Sequence, residues 1–265
     1  MWSAGRLSPE LLRSAVEQVA AAHPRALAGE GFWRTPLVAC ADARDPLFEG
    51  LRQTAHPGHL LPSDLLAGAR TVVAYFLPFS RRVISSNREG TFQSELWARA
   101  YLETNELISS INERLSIILD GCGYRSATVA PTHTFDATTL LSPWSHRHAA
   151  YIAGLGTFGL NRMLITQTGC CGRLGSLVTD AVVPAGTRPS LEFCSFRRDG
   201  SCGVCIQRCP SNALSAEGFD RHACYQTLLA NERHRAYLGR ADACGKCACG
   251  LPCSQERPGT APVLR

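Results

Sequence analysis

Nine of the chain's thirteen cysteines fall between Cys194 and Cys253, and their spacing limits what the chain can become more than any other feature does. The central run is Cys202-Gly203-Val204-Cys205-Ile206-Gln207-Arg208-Cys209-Pro210, followed by Cys224, by Cys244-Gly245-Lys246-Cys247 and by Cys253. In two-cluster ferredoxins the cysteine before proline serves the other cluster from its neighbours in the run. A cubane cluster offers four iron corners, and cysteines close together on a tight loop cap only two or three of them. A rigid Cys-Pro turn aims its thiolate elsewhere, and a distant segment fills the last corner. The spacing therefore predicts one 4Fe–4S cluster on Cys194, Cys202, Cys205 and Cys253, and a second on Cys209, Cys224, Cys244 and Cys247. Position 199, where the bacterial run has its first cysteine, is Asp199, and Cys194 is the nearest thiol upstream. Cys249 stands as an alternative to Cys253.

Two other chemistries use clustered thiols. Disulfides suit small secreted scaffolds, whereas this chain has 265 residues, several cysteines outside the cluster and no secretory apolar region in Met1–Glu30. Zinc takes Cys-x-x-Cys pairs but does not need the longer run ending in Cys-Pro. A thiol-rich chain without a leader reads as cytoplasmic, where thiolates stay reduced. No apolar run is long enough to span a bilayer, so no membrane partner is expected. The net charge of +5 comes almost wholly from arginine and is too mild to demand nucleic acid.

Up to about residue 185 helical and strand patterns alternate. Residues 8–22 carry Leu11, Leu12, Val16 and Val19 at a helical period, with Ser8-Pro9-Glu10 as a cap. Residues 71–79 (TVVAYFLPF) read as a buried strand closed by Pro78. Residues 94–119 read as a long amphipathic helix, and 145–153 as a shorter one ending at Gly154. Strands are expected at 33–41, 125–130, 163–166 and 175–183, the last two joined by the Gly169–Gly172 turn. This pattern predicts a layered α/β core over 1–185. The stretch PAGTRP at 184–189 is a natural linker, and 186–265 is expected to be a small ferredoxin-like domain stapled by its clusters, with a short helix at Ser211–Leu214.

Outside the cysteines, the densest motif is Ser142-Pro143-Trp144-Ser145-His146-Arg147-His148, leading into Ala153-Gly154-Leu155-Gly156-Thr157-Phe158-Gly159-Leu160-Asn161. A dinucleotide fingerprint follows a strand and opens a helix. Here the order is reversed, so the glycines read instead as a loop allowing close backbone approach to a large ligand. His146 and His148 lie two apart and would not share a helix face, which argues against a two-histidine metal site. As proton donors for a reduction, His146, His148 and Asp136 are the candidates, in that order. The competing readings are a surface or capping role for the histidines and a turn for Asp136. Cys170-Cys171 reads as a buried loop pair more readily than as a strained vicinal disulfide.

At these motifs the chain resembles the epoxyqueuosine reductase family and its short iron–sulfur relatives. The resemblance rests on Asp64-Leu65-Leu66-Ala67-Gly68-Ala69-Arg70-Thr71-Val72-Val73 with Leu77-Pro78, on the 153–159 glycine loop, on Gly175-Ser176 and on both cysteine groups. It implies a cobalamin held on a nitroreductase-like α/β core beside two 4Fe–4S clusters, an architecture shared by the reductive dehalogenases. On that resemblance Trp144, Gly154, Gly156, Phe158 and Gly159 are expected to line the corrinoid or substrate cavity. The expected function is corrinoid-dependent reduction of a small molecule, with electrons from a donor such as ferredoxin or flavodoxin. The alternative is an electron-transfer protein without a substrate of its own.

Three departures qualify the match. The family's C-terminal helical repeats, which help bind transfer RNA, have no counterpart here, so transfer RNA is not expected as a partner. The family's catalytic aspartate falls near Leu140 or Leu141, with Asp136 the closest acid. The first cluster cysteine is displaced to Cys194.

Overall fold

A computed structural model of the chain describes residues 7–29 and 31–259. In chain order the elements are α1 (Pro9–Ala22), α2 (Pro24–Leu27), β1 (Leu37–Asp42), α3 (Pro46–Thr54), α4 (Pro62–Leu65), β2 (Thr71–Pro78), α5 (Arg81–Ser86), α6 (Glu95–Gly121), β3 (Ser126–Thr128), α7 (His146–Ile152), β4 (Gly156–Phe158), β5 (Leu164–Thr166), β6 (Gly172–Thr179), α8 (Ser195–Asp199), α9 (Val204–Gln207) and α10 (Arg221–His234). They fall into two compact units. The first takes the residues up to Leu77, Asn105–Leu155 and Leu174–Arg188. The second takes Pro78–Thr104, Gly156–Arg173 and the residues from Pro189 on. The cysteine-rich segment thus shares its unit with two stretches from before residue 185. Among the described residues no helix is long and apolar enough to cross a membrane.

The first unit is built on a four-stranded sheet of order β1-β2-β6-β3. β1 runs antiparallel to β2, from Leu37 opposite Phe76 to Asp42 opposite Thr71, and β3 runs antiparallel to β6. β2 is buried at all eight positions, as its unbroken apolar sequence requires. Its residues Val73, Tyr75 and Leu77, two apart, share a core with Leu12 and Val16 of α1 and with Leu107, Ile108, Ile111, Leu115 and Leu119 of α6. Those five α6 side chains recur at helical spacing, and each is worth about 1.5–3 kcal/mol when buried. α1 starts where expected, with the Ser8 side chain accepting from the Leu11 amide and Pro9 at the first turn.

Tyr75 organises the middle of the sheet. Its hydroxyl donates to Asn112 Oδ1 at 2.8 Å and reaches Ile108 O at 3.2 Å. Its ring occupies the space over Gly175 on β6, where any Cβ would overlap it. Gly175 is therefore a packing residue, needed because Tyr75 lies across it.

Two local expectations fail. Residues 163–166 and the strand after the Gly169–Gly172 turn do not form a hairpin: β5 pairs with β4 in a separate two-stranded sheet of the second unit, while β6 belongs to the large sheet. The turn residues Cys170 and Cys171 donate their amides to Cys253 O and Ser254 O instead of closing a hairpin. Ser211–Leu214 is a turn, with Leu214 bridging Phe219, and the helix of this region is α10, further along the chain.

Adding one methyl at Gly175 should test the Tyr75 contact. Gly175→Ala is expected to lower unfolding stability by about 3 kcal/mol, since overpacking a filled core forces backbone shifts. The same change in a Tyr75→Leu background should cost much less. Urea unfolding of the four combinations measures both.

Candidate functional site

All thirteen cysteines are free thiols, and most of those in the second unit are drawn into two groups. Cys194 precedes α8, Cys205 lies in α9, and Cys202 and Cys253 sit on loops. Together these four line one cavity, whose other walls include Leu160, Ile165, Phe196, Leu251 and Pro252. Burial, and then the neighbouring Cys194 and Cys202, push the Cys205 thiol up to about 11. Cys253 is raised by its hydrogen bond with Cys170, by burial, and then by Cys170, Cys194 and Cys205. Cys253 lines this cavity, and Cys249 is not among its lining residues.

The second group forms around Cys209, which is buried with Ala213 and Leu214 while Ala223, Cys224 and Cys247 pack against them. Burial raises Cys247 well above the ordinary thiol range, and Cys244, Cys224 and Cys209 add to the shift. Cys209 is held below that range. Burial opposes this, but the Ser211 side chain and the backbone N–H groups of Ser211, Leu214 and Ala213 point at its sulfur. The turn after Cys209-Pro210 is thus shaped around a sulfur, with Asn212 at φ 53° inside it. Lys246, the one lysine of the sequence, is buried and donates to the carbonyls of Asn87 at 3.2 Å and Glu89 at 2.6 Å. Burial raises the Cys244 thiol above the ordinary range, and the Lys246 backbone N–H and charge oppose that rise.

Among the described residues no three His, Cys, Asp or Glu side chains close around a single ion. The donor set nevertheless suits iron–sulfur ligation: four thiols face one apolar-walled cavity, and a second set of four is gathered about Cys209. Metal or cluster binding requires such thiols to be deprotonated.

The expected corrinoid residues meet other parts of the chain. Trp144 is buried, stacked on Phe48 at 6.2 Å, and donates Nε1–H to Ser176 Oγ at 3.0 Å. A Cβ on Gly154 would overlap the Thr187 carbonyl, one on Gly156 the Ile165 carbonyl, and one on Gly159 the Asn161 side chain. Each close approach is made by protein, so these glycines have a structural cause that needs no ligand. Phe158 is half-buried in β4.

The three expected proton donors each make contacts of their own. Ser176 Oγ accepts from Trp144 Nε1–H and lies 2.8 Å from His146 Nδ1, while His146 Nε2 lies 3.2 Å from Ala130 O. His148 caps its own helix through Ser145, and burial, then Arg147 and His59, lower it to about 4. Asp136 is an exposed turn residue, ionised and held low by the backbone N–H and hydroxyl of Thr139.

Sequence reasoning missed Asn87, Asn161 and Lys246 as neighbours of the thiols; it had Cys249 as the alternative to Cys253 and Cys170-Cys171 as a buried loop pair, and all three of these cysteines are buried. Lys246 was visible inside Cys-Gly-Lys-Cys, and Asn161 closes the glycine motif. Asn87 carries no local signal.

No family model matches the chain. The epoxyqueuosine reductase of Vibrio cholerae serotype O1 (strain ATCC 39315 / El Tor Inaba N16961) is 26% identical over 217 residues, covering 77% of this chain and 54% of that protein. The match thus spans about half of the curated relative's length. An epoxyqueuosine reductase solved with an epoxyqueuosine-modified tRNA-Tyr stem loop superposes with a TM-score of 0.56 at 18% identity, covering 92% of this chain and 66% of that one. A reductive dehalogenase, whose structure was used to suggest a mechanism for B12-dependent dehalogenation, superposes at 0.57 and 17% identity, covering 83% and 30%. The resemblance to epoxyqueuosine reductases therefore holds in sequence and in fold, and the mixed α/β fold is shared with the dehalogenases. The relative solved with a tRNA stem loop stands against the expectation that transfer RNA is no partner for this fold.

The lowered His148 value sets a pH dependence. Its folded value of about 4 lies below the ordinary 6.5. The unfolded chain therefore takes up a proton first as pH falls, and stability is lost progressively between those two values. His148→Gln should gain about 1 kcal/mol over wild type at pH 5 relative to pH 7, the buried term being discounted for partial solvent access. Denaturant unfolding at both pH values reads the difference.

Proposed function

We propose that this chain is an iron–sulfur oxidoreductase. Cys194, Cys202, Cys205 and Cys253 would hold one 4Fe–4S cluster, and Cys209, Cys224, Cys244 and Cys247 the other. The observation that carries the reading is the single apolar-walled cavity onto which four thiols from separate segments converge. Such clusters supply electrons one at a time, at potentials set by charge, hydrogen bonds and solvent access. The chain's own residues act on each of those. Leu160, Ile165, Phe196 and Leu251 keep water from the first site. The amides after Cys209 stabilise its thiolate, and Lys246 places a cation beside Cys244. The electron donor would be a small one-electron protein such as ferredoxin or flavodoxin, in the reducing cytoplasm.

The sequence relative carries this toward reduction of a substrate, and the dehalogenase neighbour brings in a corrinoid. The packing of Trp144, Gly154 and Gly156 against the chain itself favours the second reading, an electron-transfer protein without a substrate of its own.

Chemical analysis of anaerobically reconstituted protein should find about eight irons and eight sulfides per chain. In a Cys170→Ala background, which removes a thiol 4.0 Å from Cys253, Cys253→Ala should lower iron to about four per chain. Cys249→Ala should leave about eight. Zinc without sulfide would overturn the reading, and iron loss in Cys249→Ala instead of Cys253→Ala would reverse the ligand assignment. Calorimetric titration of the loaded protein with cobalamin separates the two functions: binding supports the corrinoid-dependent reductase, and its absence the electron carrier.

A further inference from the structure

Beyond the eight cluster cysteines, the second unit buries three more thiols, those of Cys170, Cys171 and Cys249. They form one group. Cys171 and Cys249 bring their sulfurs to 4.0 Å, and Cys170, next to Cys171 in sequence, has its sulfur 4.0 Å from that of Cys253. Two buried carboxamides tie the group to the segment that carries ligands of both clusters. Asn87 Nδ2 donates to Cys244 O at 2.8 Å and to Cys249 Sγ at 3.6 Å. Asn161 Nδ2 donates to Cys247 O at 2.9 Å and to Cys170 Sγ at 3.8 Å. The Cys171 thiol donates to Ala248 O at 3.0 Å, the same carbonyl that accepts Ser254 Oγ–H. A buried cysteine that merely fills space as a small hydrophobe needs neither a second sulfur in contact nor an amide donor on its sulfur.

We infer that Cys171 and Cys249 are a redox-active dithiol–disulfide pair that exchanges electrons with the two clusters. The inference rests on the cluster reading above. In the oxidising direction two S–H bonds break and one S–S bond forms between Cys171 Sγ and Cys249 Sγ. Two protons go to water, and two electrons leave, one to each cluster. Reduction returns two electrons and two protons. Each cluster carries one electron and a dithiol carries two, so the pair lets the chain hold and release electrons in twos. The 4.0 Å separation corresponds to the dithiol form, and bond formation needs the sulfurs to approach to about 2.05 Å. Cys170 is a poorer partner for either neighbour. With Cys171 it would close a strained ring between adjacent residues, and with Cys253 it would take a sulfur from the first cluster.

The test uses the cluster-loaded chain, reduced anaerobically with measured equivalents of dithionite after full oxidation by ferricyanide. Wild type should accept about four electrons per chain, and Cys171→Ala or Cys249→Ala about two, with iron content and cluster spectra unchanged. Acid quenching into N-ethylmaleimide, followed by peptide mass spectrometry, should find Cys171 joined to Cys249 in the oxidised sample and both alkylated in the reduced one. About two electrons in wild type and variants alike, or both thiols alkylated in every state, overturns the pair while leaving the clusters in place. A crosslink found only in chains that have lost iron also overturns it. Absence of iron from the reconstituted chain would overturn the cluster reading and the pair together.

Discussion

Thiols gathered out of water repel one another as soon as they ionise, and the second unit of this chain is arranged around that repulsion. Cys205 is raised by burial and by Cys194 and Cys202. Cys247 is raised by burial and by Cys244, Cys224 and Cys209. These sulfurs, unpaired in disulfides, are thereby kept as neutral thiols, and holding a metal would require their deprotonation. Gly245, at φ 72°, leaves room for the Trp97 side chain, so the Cys244–Cys247 loop can lie flat on α6. Gly169, at φ 83°, leaves room for the backbone at Ser254, next to Cys253.

The parts legible from sequence were those governed by local rules. The α1 cap, the apolar run of β2 and the long period of α6 are properties of adjacent residues, and the structure has them close to where they were read. The Cys-x-x-Cys-x-x-x-Cys-Pro run was visible because it is local: Cys202 and Cys205 line one cavity, and Cys209 packs with Ala213 and Leu214. The parts that were not legible depend on distant residues. Nothing near residue 87 reveals that Asn87 meets Cys244 and Cys249. Nothing near 170 says that the Gly169–Gly172 turn hands its amides to the chain at 253 and 254 rather than to a hairpin partner.

The glycine motif shows how the same signal can have two causes. Glycine at 154, 156 and 159 reads equally well as room for a ligand and as room for the protein itself. Only the neighbours decide, and they are the Thr187 carbonyl, the Ile165 carbonyl and the Asn161 side chain. Gly175 follows the same logic in the first unit, where the ring of Tyr75 fills the space a side chain would take. In both places the glycines are already required by packing. The motif alone is therefore weak support for the cofactor, and the cysteines carry the functional argument.

The two thiol groups are not electrostatic equals. Around Cys205 the influences are burial and other sulfurs, with help from backbone N–H groups alone. Around Cys209 and Cys244 the chain adds the Ser211 hydroxyl, three backbone amides and the ammonium of Lys246. Arginine supplies every other basic side chain, so the use of lysine at this one buried position is informative. A compact ammonium can be held by the carbonyls of Asn87 and Glu89, where a planar guanidinium would need more room and more acceptors. Burial disfavours that ammonium, and the sulfurs of Cys244 and Cys249 favour it. Cation and sulfurs therefore favour each other's charged forms at this group, whereas no side-chain cation is among the influences on Cys205.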